Sequence, residues 1–505
     1  MSKLRKHLCL ILSALVLSSV FLISCSDNSQ TETDEKQSDT EQNSNTAADE
    51  SESETEEERL KPNIPDSADF GGDEIRFLYW THSLWANTVR ESRDIVSEGI
   101  NGEGINDAVF NRNVKIEDAY KVKIALEKMD SSQLPNAVQK NVKAGDPIYD
   151  CVVPVGSSLS TFVSQGLLHN FYDIPNIDLD MPWWDIDAKN SLTVNGYLPI
   201  TTGSLLINDK DGTAAVAFNK TLVENHGMED LYTAVREGRW TYDKLSELAE
   251  IAAEDTNGDG KMTVDDVYGF LGGRDVMESF WYGCGSQFSS KTDDGGFEFT
   301  FGSERDVSAA QYIIEMMNQT WFLNHHLISN VDDTYYRQLF EQGHGLFFWM
   351  RLDDVTNMRA GEAEFGILPT PKYEVEQDKY YSMVSRHTCG LLGVPISSSG
   401  EQLSEIGLIL EAMAAESHYT LIPEYIESNL KTKYARDTES SDMVDIIINS
   451  RVFDAIYIYN IGGFSDSFLV LGDSANTNIA SFLKTREKII TKNMDKFLSY
   501  FEKSE

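Results

Sequence analysis

One stretch has side chains spaced for metal chemistry. In Asp255-Thr-Asn257-Gly-Asp259-Gly260-Lys261-Met262-Thr263-Val264-Asp265-Asp266, oxygen-bearing side chains fall at loop positions one, three, five and twelve. Gly260 stands at six, where the backbone must turn sharply. Lys261 offers its carbonyl at seven, and Thr263 sits at nine, where a water often bridges. Hard oxygen donors on alternating residues suit a large hard cation, so Asp255, Asn257, Asp259, Lys261 and Asp266 are the expected ligands of a Ca2+ ion. Position twelve holds Asp where a bidentate Glu is usual. A calcium sensor opens a pair of helices, and no second loop of this kind is present, so the expected ion is structural. It would pin the turn between a helix ending near Ala253 and a strand at Tyr268–Phe270. The alternative is an Asp/Gly-rich surface turn.

Nucleophile chemistry is weakly supported. His387-Thr-Cys389 puts an imidazole and a thiol on one face of an extended strand, but activation also needs an orienting group and an oxyanion site. A buried structural pair is expected. His325 and His326 are adjacent and cannot chelate from one helical face as an i, i+4 pair would. The chain has no G-x-S-x-G elbow and no P-loop. With 82 Asp and Glu against 42 Lys and Arg, counting carboxylates neither selects nor removes a glycosidase dyad. The net charge of -40 argues against nucleic acid as a partner, because phosphate binding is driven by Lys and Arg.

The first residues decide where the rest works. Lys3, Arg5 and Lys6 precede an apolar run from Leu8 to Ile23 that ends Leu22-Ile23-Ser24-Cys25. A basic head, an apolar core and a small residue before the cut make a secretion signal; a transmembrane helix needs ~20 apolar residues with flanking anchors. The closing quartet resembles the lipobox of bacterial lipoproteins, whose Cys becomes the new N-terminus and carries lipid. That resemblance gives Cys25 the role of membrane anchor at the extracellular face. An ordinary cleaved signal or an uncleaved anchor is the alternative. The following residues, to about 61, are Ser, Thr, Asn, Gln, Asp and Glu with almost nothing apolar. Such a stretch cannot offset its ordering entropy, and its like charges extend it. A disordered acidic tether is expected, with globular cargo from about Pro62. Of five cysteines, only Cys151, Cys284 and Cys389 remain in the cargo. They are too few and too far apart for a disulfide framework.

Strands and helices alternate along the cargo. The run DEIRFLYW at 73–80 reads as a first strand, 102–121 as a helix with Ile105, Val109, Ile116 and Tyr120 on one face, and YDCVVP at 149–154 as a short buried strand. A Ser131 or Ser132 cap is expected to open the helix carrying Leu134, Val138 and Val142, and Thr241 to cap the helix that follows Trp240. Further strands are expected at 196–200, 214–219, 297–301, 365–369 and 391–395. This pattern implies an α/β fold with a mainly parallel sheet covered on both faces.

The segments GEGINDAVFNRN (102–113), VAFNKTLVENHGM (216–228), REGRWTYDKLSELA (236–249) and FGILPTPKYEVEQ (365–377) follow one another in a telling order. In that order the body resembles the family 1 extracellular solute-binding proteins of ABC importers, the carbohydrate-binding branch that includes maltose-binding-type proteins. The resemblance implies a two-lobe, type II periplasmic-binding-protein-like fold with hinge strands and a ligand cleft. Lobe one would hold 62–210 plus 370–396, and lobe two 211–369 plus 397–505. It also implies a carbohydrate ligand, ABC permease subunits as partners, a monomer, and no enzymatic activity. The rivals are a secreted glycoside hydrolase and a binding protein for peptides or another polar solute.

In open α/β sheets, ligands sit beyond the carboxyl ends of the strands. That rule selects Trp80 and Trp85 after the first strand, Ser157 at a helix start, Trp281 in a Gly-rich stretch, and Trp349 and Arg351 after the apolar run 346–348. Trp faces match the C–H faces of sugars, and Arg, Asp or Asn match the hydroxyl rim. Core packing is the alternative for each Trp, and an ion pair with Asp353 or Asp354 is the alternative for Arg351.

Overall fold

The computed structural model describes residues 59–82, 92–328, 333–358, 363–431 and 439–501. Cys25, the tether up to 58 and Trp85 lie outside the described residues. The aromatic and β-branched run at 73–80 forms β1 (Asp73–Thr81). It is the centre of a parallel sheet, flanked by β2 (Val122–Asp130) and β3 (Cys151–Val153). Between β1 and β2 runs α1 (Gly104–Tyr120), which buries Ile105, Val109, Ile116 and Tyr120 as their spacing predicts. Before α2 (Leu134–Ala144) the expected serine cap is missing: the helix follows Gln133, and the Ser132 hydroxyl is spent on Asp130 at 2.6 Å. The fully buried β3 leads into α3 (Gly156–Ser164).

A second sheet contains β4 (Ala214–Asn219) and β5 (Tyr268–Gly272). After the separate hairpin of β6 (Ser289–Lys291) and β7 (Phe297–Phe299), the same sheet gains β8 (Phe322–Asn324), β9 (Gly345–Arg351) and β10 (Phe365–Leu368). Its order is β10-β4-β9-β5-β8, with β5 parallel to both β8 and β9, and β4 antiparallel to β9 and β10. Every residue of β4, β5 and β9 is buried, as near-continuous apolar strands covered on both faces must be. Thr241 caps helix Tyr242–Ala252 as expected, accepting from Lys244 N–H at 3.3 Å.

One run stitches the two sheets together. β11 (Ser382–Met383) pairs with β12 (Arg451–Val452). Val384 then bridges to Thr213 at the foot of β4, Gly390 to Val155, Leu392 to Thr201 and Gly393 to Val152. The expected strand at 391–395 is therefore a string of single bridges along the edge of the first sheet. The expected strand at 196–200 is also absent as such, since Tyr197 bridges only to Val194 in a tight turn. The C-terminal part divides differently from expectation. Helix Gly400–Tyr419 packs on α1, and Arg112 of α1 donates to Ser417 at 3.0 Å, so this helix belongs with the first sheet, not with lobe two. Helix Glu439–Asn449 does pack on β10 of the second sheet, while helix Ile479–Leu498 packs on helix Glu304–Met317 and on β7 of the separate hairpin.

Cavities of about 440, 480 and 570 Å³ lie along the strap 59–73 on the outer side of the first half, away from the strand ends. No described helix is long and apolar enough to cross a membrane.

Candidate functional site

The carboxyl ends of β1 and β3 meet the crossing run 384–390 at Gly390. Val384 bridges to Thr213, next to the β4 residue that pairs with Arg351 at the end of β9. The helix after β5 brings Glu278 into the field of Arg386. At the end of β1, the Tyr79 hydroxyl and the Trp80 indole N–H are buried without a hydrogen-bond partner. Trp80 sits beneath the turn at Gly390, where an added Cβ would come within 3.0 Å of its Nε1. At the end of β9, Trp349 donates its indole N–H to the Ser279 hydroxyl at 2.6 Å. The Arg351 guanidinium lies over the Trp349 ring, 5.2 Å from its centroid, and 3.5 Å from Asp353. Arg351 thus forms the ion pair given as its alternative, with Asp353, and is the last residue of β9. Ser157 lies in the first turn of α3.

Trp281 goes elsewhere. It stacks on Phe288 with centroids 5.5 Å apart, and Phe301 and Phe468 meet it edge-on. That is an aromatic core of the second half, the packing alternative. Trp80, Trp349 and Arg351 are also buried, but at strand ends.

Sequence reasoning passed over the groups that face these ends. Glu278 and Ser279 stand on helix Asp275–Gly283, which follows β5. Ser385, Arg386, His387 and Thr388 occupy the crossing run. Among the described residues, both Glu278 oxygens, Arg386 Nε, His387 Nε2, Ser385 Oγ and Thr388 Oγ1 are buried without hydrogen-bond partners. Buried polar groups normally find partners, and this group of them along one run and the helix facing it makes the candidate site. Burial pushes the Glu278 carboxyl up to about 8, against the pull of Arg386 and the nearby Tyr457 hydroxyl. Burial, helped by Arg386, pushes the His387 imidazole down to about 4. At neutral pH both groups are uncharged. The backbone of Arg386 presses on Gly156 at the start of α3, where a Cβ would stand 2.4 Å from the Arg386 carbonyl oxygen. The same run therefore touches both halves.

The Cys389 thiol is buried and raised by that burial, which opposes any nucleophilic role beside His387. His325 stacks on Tyr336 with centroids 4.2 Å apart, and its Nδ1 meets the Gly272 carbonyl at 3.0 Å.

The loop 255–266 turns as its sequence demands, with Gly258 and Gly260 at positive φ. Asp255 accepts from the N–H groups of Gly258 at 2.8 Å and Gly260 at 2.7 Å, Asn257 from Asp259, and Asp259 from Lys261. Asp266 is buried and spends both oxygens on Thr256 and Thr263. The Thr263 bonds, with those from Thr256, hold its pKa below the ordinary value. Among the described residues, no group of three His, Cys, Asp or Glu side chains is arranged to hold a metal ion.

A family model described as bacterial extracellular solute-binding protein matches residues 113–389. The chain belongs to that family. It is a solute-binding protein and not an enzyme, and it works outside the cytoplasm. Comparison with curated proteins gives no match. Among solved structures, the cyclic α-maltosyl-1,6-maltose binding protein of Arthrobacter globiformis is similar at 12% identity, with 84% of this chain and 99% of that chain covered and a TM-score of 0.57. An ABC substrate-binding protein of Listeria monocytogenes solved with cycloalternan matches at 12% identity, over 85% of this chain and 99% of that one, with a TM-score of 0.53. A solute-binding protein of Thermotoga lettingae bound to α-D-tagatose matches at 14% identity, over 85% and 100%, with a TM-score of 0.51. At these identities the likeness is one of fold. The solute-binding protein has the two-lobe, type II architecture, with its two sheets as the lobes and 384–390 as one crossing between them.

Proposed function

We propose that this protein is the lipid-anchored substrate-binding component of an ABC importer, acting as a monomer that captures a carbohydrate, an oligosaccharide, between its lobes. The observation that carries this reading is the set of buried, unpartnered and mostly uncharged polar groups at the strand ends: Tyr79, Trp80, Glu278, His387, Ser385 and Thr388. Neutral donors and acceptors beside an indole suit a polyhydroxylated solute with apolar C–H faces. Charged peptide termini would call for committed counter-charges. Two of the similar structures above are named for bound or recognised oligosaccharides, which supports the same class. The lipobox-like quartet supports acylation at Cys25, and the tether would let the body reach a permease while anchored. Titration calorimetry against a glycan panel and a peptide panel tests the reading. Micromolar or tighter binding confined to glycans is expected; binding confined to peptides overturns it.

The order of oxygen donors in 255–266 supports a structural Ca2+ held by Asp255, Asn257, Asp259 and the Lys261 carbonyl. Asp266 would join them by giving up one threonine contact.

A further inference from the structure

Glu278 presents a chemical problem. Its side chain exposes none of its surface, and its oxygens meet no well-formed hydrogen bond, only a weak contact from the Tyr457 hydroxyl. The groups facing it are Asp275 and Tyr282 on its own helix, Arg386 on the crossing run, and Tyr457 and Asp466 from the C-terminal segments. The one cation among them, Arg386, pairs with Asp466 through one terminal nitrogen and lies over the Tyr457 ring, 5.7 Å from its centroid, while its Nε makes no hydrogen bond to Glu278. The Tyr457 hydroxyl accepts from the Arg386 N–H at 3.3 Å. A buried carboxylate without a committed counter-charge is costly, so the group stays a neutral acid. A structural neutral acid would be given a partner by the fold, because its donor and its acceptor each cost free energy when left unmade. Glu278 has no more than the weak Tyr457 contact, and it stands on the helix that follows β5, beside the run that touches both lobes.

We infer that Glu278 is a solute-reading residue, whose neutral carboxyl group donates its proton to one solute oxygen and accepts a hydrogen bond from a solute hydroxyl when the lobes close. A carboxylate could only accept; the neutral acid both donates and accepts, which matches the two-way character of a sugar hydroxyl. This inference rests on the carbohydrate reading above and assigns it a residue and a protonation state. It implies that binding weakens as pH rises through about 8, where the proton leaves, the donor is lost and an uncompensated charge appears.

The test is calorimetric titration of maltotriose and of cyclic α-maltosyl-1,6-maltose into the full-length wild type, Glu278→Gln and Glu278→Ala, from about pH 6 to about pH 9.5. Circular dichroism checks that each variant is folded. Glu278→Gln keeps one donor and one acceptor and cannot ionise, so its affinity should stay within about threefold of wild type and be flat with pH. Glu278→Ala should bind about tenfold to a hundredfold more weakly. Wild-type affinity that is flat across the range, or Glu278→Ala binding as tightly as wild type, overturns the inference and leaves the carbohydrate reading standing. Failure of the wild type to bind either glycan overturns both.

Discussion

The indole N–H of Trp183 donates to Glu411 at 2.9 Å. Its neighbour Trp184 donates to the other oxygen at 2.8 Å. One buried carboxylate on helix Gly400–Tyr419 thus satisfies both indoles of the 182–185 turn and ties that turn to the first lobe. Glu411→Ala leaves two buried N–H groups orphaned and should cost about 2–4 kcal/mol. Glu411→Gln keeps one acceptor and should cost about half as much. Urea unfolding midpoints at unchanged m value measure both.

His387 makes stability depend on pH in a definite direction. Its folded-state pKa is lowered to about 4 from 6.5 by burial and by Arg386. The unfolded chain therefore binds more protons between these values, and stability falls as pH drops from 6.5 toward about 4. The loss should be on the order of 3 kcal/mol, from ~1.4 kcal/mol per unit. In His387→Gln this part of the acid limb should flatten, which unfolding series at several pH values would show.

Trp281 and Trp349 should separate cleanly. Trp281→Ala removes a stacked core ring and should cost about 3–5 kcal/mol without changing solute affinity. A change in tryptophan fluorescence on glycan binding should persist in Trp281→Phe and shrink in Trp349→Phe, because only Trp349 stands beside Ser279 and Arg351 at the strand ends.

Gly156 is the only residue type its position accepts. In Gly156→Ala the new Cβ meets the Arg386 carbonyl oxygen at 2.4 Å, so either α3 or the crossing run must move. A loss of about 1–3 kcal/mol is expected, together with weaker solute binding, since Arg386 and His387 move with the run. Thermal melts and calorimetry on the same preparation check both effects.

Calcium should raise the melting temperature through the loop 255–266 and leave solute affinity nearly unchanged. Asp255→Asn combined with Asp259→Asn should abolish the shift. Calorimetry that detects no calcium uptake by the wild type would remove the site.

The strands were legible because their chemistry is local. DEIRFLYW and AAVAFN became β1 and β4 within a residue, and the apolar run at 346–348, noted without a strand assignment, lies inside β9. Runs 196–200 and 391–395 have the right residues, but their partners offer single bridges and no full ladder. That depends on distant chain, which periodicity does not report. Trp80, Trp349 and Arg351 do lie at strand ends, where the rule for open sheets selected them, while Trp281 carried a similar local signal and is packed in an aromatic cluster from 288, 301 and 468. Glu278 could not be singled out among 82 acidic residues; its complete burial with neither oxygen in a well-formed hydrogen bond is a three-dimensional fact.

The bridge from Val152 to Gly393 joins residues separated by nearly half the chain. The first lobe therefore cannot finish its edge until the chain around residue 393 is in place. A chain threading outward N-terminus first would present β1 to β3 early, incomplete and sticky, until the late segment arrives. Folding of this protein should be slow and should finish only when the late segment docks, a delay that long-range topology imposes.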